Sequence, residues 1–263
     1  MRLSLLSRFD ARSLADHVRR FPEMALVADG GRQHVVAGPW RKRADIAELI
    51  EASTGELRSA LVGGLSRQLA ARGFKLMVLD YGLESRDPTF YRMAGFALVE
   101  RIFEYERPLL PVTRLATPPG TLRPYRSEDR DGVLEVERAS FPWLWWNSQA
   151  EWDGYVSTRD VEILVACRGD QVVGYAGFVA YRREGHLDRL AVHNREQGRG
   201  FGAFLLTEAL VRLQERGAHR VALTTQETNL RSQRLYEQNG FRRGRWTYDI
   251  HGSWLGQPEE AAT

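Results

Sequence analysis

Cysteine is almost missing from this chain of 263 residues, Cys167 being the only one. A single cysteine excludes a disulfide within the chain, so the core must hold the fold and a reducing cytoplasm is the expected setting. Cys167 falls in an apolar run that reads as a strand, where a thiol is a small buried hydrophobe rather than a nucleophile. Lysine is nearly as scarce, since of 37 basic residues only Lys42 and Lys75 are lysines. The remaining positive charge is arginine, which is permanent. No apolar run approaches the ~20 residues needed to span a bilayer, and Leu3 to Leu6 is too short for a signal-peptide core, so no membrane partner is expected. The net charge of +3 is too slight and dispersed to predict nucleic acid as a partner. No metal site is expected either.

What the chain does hold is glycine in an informative place. Leu187-Asp-Arg-Leu-Ala-Val192 reads as a strand. His193 to Glu196 and then Gln197-Gly-Arg-Gly-Phe-Gly-Ala203 lead into an apolar-periodic run over residues 204–216 that reads as a helix. A strand that turns through spaced glycines into a helix leaves several backbone N–H groups unpaired at the positive end of the helix dipole. Such a cradle holds anions, phosphate above all. Gly198, Gly200 and Ala203 also meet the Gly-x-Gly-x-x-Gly/Ala spacing of a dinucleotide-binding turn. The surroundings disfavour that alternative. The next strand, Val221-Ala-Leu-Thr-Thr225, closes on threonines where a ribose needs an acidic residue. Residues 161–167 and 172–181, joined by the tight Arg168-Gly-Asp-Gln171 turn, read as an antiparallel meander.

Downstream, Asn229-Leu-Arg-Ser-Gln-Arg-Leu-Tyr-Glu-Gln-Asn-Gly-Phe241 reads as a short helix that Thr228 or Asn229 caps and Gly240 ends. With both features placed, residues 121–250 resemble the GNAT superfamily of acyl-CoA-dependent N-acyltransferases. The resemblance rests on the Gln-x-x-Gly-x-Gly/Ala loop at Gln197 to Gly202 and on Asn229, Tyr236, Gly240 and Phe241. It implies an α/β (α+β) fold, a mixed and mostly antiparallel sheet flanked by helices. It also implies acetyl-CoA (coenzyme A) as the cofactor and acetyl transfer to a primary amine of a small molecule or a peptide N-terminus. The alternative is a non-catalytic acyl-CoA-binding sensor. Either protein would be a monomer or a homodimer.

The pieces recur. Prolines at 108, 111, 118 and 119 mark a linker, placed at residues 113–120. Before it, a helical run over residues 56–72, Gly73, a strand Leu76-Met-Val-Leu79 and Phe90-Tyr-Arg-Met-Ala-Gly-Phe96 repeat the order of the second half. The sequence therefore predicts two GNAT-like modules, residues 1–112 and 121–263, a tandem architecture similar to that of mycothiol synthases. Where the second copy has its glycine loop, the first has Ser53-Thr-Gly-Glu-Leu-Arg-Ser59, with one glycine and a carboxylate that repels phosphate. The first module is thus read as degenerate and non-catalytic, covering an edge or walling the acceptor site.

The resemblance also implies roles. Leu190, Ala191 and Val192 would form a bulged strand whose amides hold the thioester carbonyl and pantetheine. Gln197, Gly198, Arg199, Gly200, Phe201, Gly202 and Ala203 would hold the pyrophosphate, with Asn229 and Ser232 beside them. Tyr236 stands at the family's general-acid position, with core packing as its other reading, and Asn229 has helix capping as its other reading. The general base stays open between Asp188, His186, Glu227 and a water relay, because the following strand has Thr224 where some relatives carry a glutamate. Strand alternation puts Asp188 on the face of Leu190 and Val192. The aromatic run Phe141, Trp143, Trp145 and Trp146 is expected either to bind the acceptor or to pack between the modules. Its Phe-Pro-Trp start is similar to that of bacterial ribosomal-protein N-terminal acetyltransferases.

Overall fold

The computed structural model describes residues 9–109, 111–114 and 119–256. The chain divides into two compact units, Met1–Glu100 with Tyr248–Thr263, and Arg101–Thr247. Both passages between them fall inside strands, so the linker expected at residues 113–120 is not where the units part. Of that linker, residues 115–118 lie outside the described residues.

The first unit runs α1 (Ala11–Arg20), β1 (Ala25–Ala28), β2 (Gln33–Pro39), β3 (Ile46–Ala52), α2 (Arg58–Ala71), β4 (Leu76–Leu79), α3 (Leu83–Arg86) and α4 (Pro88–Met93), and then enters β5 (Ala97–Pro108). Strands β1, β2 and β3 form an antiparallel meander, β4 is parallel to β3, and residues 252–254 from the end of the chain pair antiparallel with β4. Val62, Leu65 and Leu69 make a buried stripe at helical spacing along α2. They close a core with Leu49, Met77 and Tyr91.

The second unit adds β6 (Thr121–Pro124), α5 (Arg130–Ser140), α6 (Gln149–Val156), β7 (Val161–Arg168), β8 (Gln171–Tyr181), β9 (Glu184–Val192), α7 (Phe201–Glu215), β10 (Arg220–Gln226), α8 (Leu230–Gln238) and the start of β11 (Arg242–Trp254). Its strand order is β6-β7-β8-β9-β10-β5, antiparallel throughout except for the parallel pair β9 and β10. One face packs on Phe201, Leu205, Leu206, Leu210 and Leu213 of α7, the other on Val133 and Val136 of α5 and Trp152 of α6. Cys167 lies buried in the second of these cores, and burial raises its thiol pKa, as expected of an inert thiol.

The repeat is visible in the helix ends. Gly73 and Gly217 follow α2 and α7 at φ 85° and 83°, and Gly95 and Gly240 follow α4 and α8 at 87° and 80°. Each time the next residue reaches back five positions: Phe74 to Leu69, Ala218 to Leu213, Phe96 to Tyr91 and Phe241 to Tyr236. Only glycine takes that left-handed stop without strain.

Candidate active site

The site grows from one extra residue. Opposite β8, Gly177 pairs with Arg189 and Phe178 with Leu187, which leaves Asp188 as a bulge in β9. The bulge expected at Leu190 to Val192 therefore sits two residues earlier. It also inverts the predicted facing. Leu187, Leu190 and Val192 join the α7 core, whereas Asp188 reaches Tyr155 of α6 and Arg189 reaches Glu137 of α5, both on the opposite face. Asp188 is thus not on the face of Leu190 and Val192, because a bulge points two consecutive side chains the same way and resets the alternation.

A bulge also bends and twists its strand. Strands β9 and β10 pair from Glu184 with Arg220 to Leu187 with Leu223 and no farther. Beyond that point β9 stays on β8 and β10 stays on β5, so a gap opens between them. The His193 N–H donates to the Val173 carbonyl at 2.8 Å on the β8 side. In an antiparallel ladder, donors alternate between edges, so the Ala191 amide serves β8 and the amides of Leu190 and Val192 face the gap. The Val192 carbonyl on that edge is taken by Gln197 Nε2 at 2.9 Å.

At the far end of the gap, α7 begins. Gly198 and Gly200 adopt φ 78° and 88°, conformations that the spaced glycines allow. Gly200 is the N-cap, no side chain caps it, and the first helical bond runs from the Phe204 N–H to its carbonyl. The amides of Phe201, Gly202 and Ala203 are left to point outward. No acidic residue lies in that first turn.

A cavity of about 500 Å³ joins the two features. Of the expected cofactor residues, Leu190, Ala191, Val192, Gln197, Gly198, Gly200, Gly202, Ala203, Asn229 and Ser232 line it. Arg199 is exposed beside Glu196, and the Phe201 side chain lies in the core, so these two offer backbone alone. Asn229 caps α8 by accepting from the Ser232 N–H at 3.1 Å while also lining the cavity, so both of its readings are present. Arg231, which sequence reasoning missed, brings a cation to the wall and donates to Gln197 Oε1. Its signal was a cation in the first turn of α8.

The Tyr236 ring does not line the cavity. It is buried on α8 against Tyr105 and Phe241, with centroids at 6.2 and 5.8 Å. Burial pushes its hydroxyl up to about 12 and a hydrogen bond with Ser232 opposes that shift, so the phenol stays protonated at neutral pH. Ser232 therefore stands between Tyr236 and the cavity. Asp188 and His186 lie outside the lining as well, paired with each other on the opposite sheet face.

Of the aromatic run, Phe141 lines the cavity, whereas Trp143, Trp145 and Trp146 are half-buried outside it. Trp152 belongs wholly to the core. The run is fixed by a buried ion pair between Arg189 and Glu137, whose side chains are 11% and 1% exposed. Arg189 also donates to the Trp145 carbonyl at 3.1 Å and stacks 4.0 Å from the Phe141 ring. Burial opposes the Arg189 charge, but Tyr175 and Glu137 outweigh it and hold its pKa above the ordinary value.

Parallel strands that part beside a glycine loop, with free amides at both ends of one cavity, suit an anion at one end and a carbonyl oxygen at the other. Residues 125–241 match the acetyltransferase (GNAT) family, and this segment is a GNAT domain. The family's acyl donor is acetyl-CoA. Solved structures agree in fold. A GCN5-related N-acetyltransferase from Sphaerobacter thermophilus superposes with TM-score 0.59 at 17% identity, over 95% of this chain and 87% of that one. A GCN5-related N-acetyltransferase from Anabaena variabilis gives 0.65 at 12%, over 95% and 71%. A tandem GNAT protein from the clavulanic acid biosynthesis pathway gives 0.55 at 13%, over 90% and 85%. No functionally curated protein matches the chain in sequence.

Proposed function

We propose that the protein is an acetyl-CoA-dependent N-acetyltransferase acting on a primary amine of a small molecule or a peptide N-terminus. The observation that carries this reading is the single cavity wall running from the outward amides of Leu190 and Val192 to the glycine loop before α7. Acetyl-CoA bound there supplies an activated acyl carbon as a thioester. The amides of residues 198–203 and Arg231 hold the phosphates, and the Leu190 amide faces the carbonyl oxygen, where a donor stabilises developing negative charge. Tyr236, through Ser232, returns a proton to the departing sulfur. Asp188 belongs to the proton-accepting side of the site, and Phe141 borders the acceptor.

The first unit takes no acyl-CoA in this reading. At the position of its loop, Gln33 fills the space beside Gly55, and its carbonyl oxygen accepts the Leu57 N–H at 2.9 Å. That amide is the kind a phosphate would use, and the chain's own carboxamide satisfies it.

The test is product formation. Protein incubated with acetyl-CoA and a panel of primary amines and alanyl peptides should release free thiol and form acetylated amine in equal amounts. Thiol release without any amide, or no turnover despite tight acetyl-CoA binding, would favour the acyl-CoA sensor.

A further inference from the structure

Three side chains outside the cavity form a hydrogen-bonded chain on the sheet face opposite α7. His186 Nδ1 lies 2.6 Å from Asp188 Oδ1, and the Tyr155 hydroxyl donates to Asp188 Oδ2 at 2.9 Å. Tyr155 can reach that far only because residue 177 is glycine. A Cβ there would collide with the Tyr155 hydroxyl. Asp188 is available on this face only because it is the bulge residue. Three independent local features therefore converge on one contact.

We propose that His186 is the catalytic base of the acetyl transfer, with Asp188 and Tyr155 as its positioning residues; this rests on the N-acetyltransferase reading. Both Asp188 oxygens are engaged, one by the phenol and one by the imidazole, so the carboxylate orients rather than accepts. With Nδ1 donating to Asp188, the Nε2 lone pair is left for substrate, and the ring is 44% exposed. Nε2 makes no hydrogen bond to protein among the described residues. An imidazole is a stronger base than a carboxylate and so accepts a proton from an ammonium group more readily.

The surrounding groups are uncharged or paired with one another. Across the ladders His186 faces Val179 on β8 and Ala222 on β10, neither of them charged. On the next strand Glu106 is paired with Arg220, which also holds Glu184. Arg189 beside Asp188 is committed to Glu137, and Tyr175 donates to that same glutamate. From α6 Tyr155 approaches, and burial, reinforced by the Asp188 charge, keeps its hydroxyl a donor by raising its pKa well above the usual range.

Proton and electron balance is simple. His186 Nε2 takes one proton from the acceptor ammonium, directly or through one water, and Asp188 compensates the imidazolium charge. The freed nitrogen lone pair forms the C–N bond as the C–S bond breaks with its electrons on sulfur. The second nitrogen proton ends on that sulfur. The products are amide and thiol, and the proton on His186 returns to water.

The test uses the full chain with acetyl-CoA and 2-phenylethylamine or an alanyl peptide, comparing wild type with His186→Gln, Asp188→Asn and Tyr155→Phe. His186→Gln should lower kcat by about 10²- to 10⁴-fold, the usual worth of a positioned base, with acetyl-CoA affinity unchanged. Asp188→Asn and Tyr155→Phe should lower kcat less and alter the acidic limb of the pH profile, which a merely structural role would not do. Nitrogen-15 NMR of the unmutated protein should show His186 as the Nδ1–H tautomer, and Asp188→Asn should convert it to Nε2–H. Unchanged kcat in His186→Gln, or an Nε2–H tautomer in the wild type, overturns the relay. Failure of the wild type to bind acetyl-CoA overturns the underlying N-acetyltransferase reading instead.

Discussion

Tyr236 meets two demands with one side chain. Its ring completes the core beside Tyr105 and Phe241, and its hydroxyl stays protonated beside Ser232. Thiolate is a fair leaving group, since a thiol ionises near ~8.5. Tyr236→Phe should therefore lower kcat toward the low end of the ~10²- to 10⁴-fold range for acid catalysis and leave acetyl-CoA affinity intact. Steady-state rates at saturating acetyl-CoA check this, and an unchanged kcat would reduce Tyr236 to its packing role. The glycines of the loop were legible because left-handed backbone demands that residue type, and the α8 cap was legible because Asn229 precedes a helical run. Asp188 was assigned the wrong face because strand alternation assumes an unbroken period, and a bulge leaves no local mark in the letters. Tyr155, Gly177 and Glu137 were invisible because their partners lie 33, 12 and 52 positions away in the chain, at Asp188 and Arg189.

At the scale of elements, the splay of β9 from β10 is the structural event that makes a site, and packing beneath it holds the splay in place. Leu205 of α7 is fully buried under the sheet and meets Gly174 of β8, which approaches too closely for any larger residue. Leu205→Ala should destabilise the protein by about 2–5 kcal/mol, transfer and cavity terms together, read by denaturant unfolding. A loss under ~1 kcal/mol would mean that the helix is not anchored there. The entry to α5 shows a pH-dependent element. Arg123 chiefly, and the Arg126 amide after it, hold the Asp129 carboxyl below its ordinary 3.8. Because folding lowers this pKa, the pair's stabilisation is complete above about 3.8 and disappears as pH falls through the lower folded value. Asp129→Asn should accordingly lower the Tm at pH 7, and the gap from wild type should narrow below pH 3.8. A gap that stayed constant with pH would contradict the assignment. Helices α2, α7 and α8, the β7–β8 hairpin and β10 were legible from apolar period and glycine stops. Of the strands that pass between units, β11 was legible over Arg243 to Ile250, whereas β5 was not, since pairing with a distant strand leaves no periodic signal.

Across the whole molecule, one plan is used twice with opposite outcomes. Each unit carries a helix stopped by a left-handed glycine, a strand, and a shorter helix stopped the same way before a phenylalanine. Among the described residues, only the second keeps an open glycine loop beside parted strands. The first closes its counterpart with Gln33. We therefore propose one acyl-CoA site per chain, held by the loop before α7. Calorimetric titration with acetyl-CoA tests it most directly, using wild type and Gly200→Glu, which introduces a carboxylate and a Cβ into a left-handed position. One site per chain is expected in the wild type and none in the variant. No binding by the wild type, a second site, or binding unaffected by Gly200→Glu would contradict it.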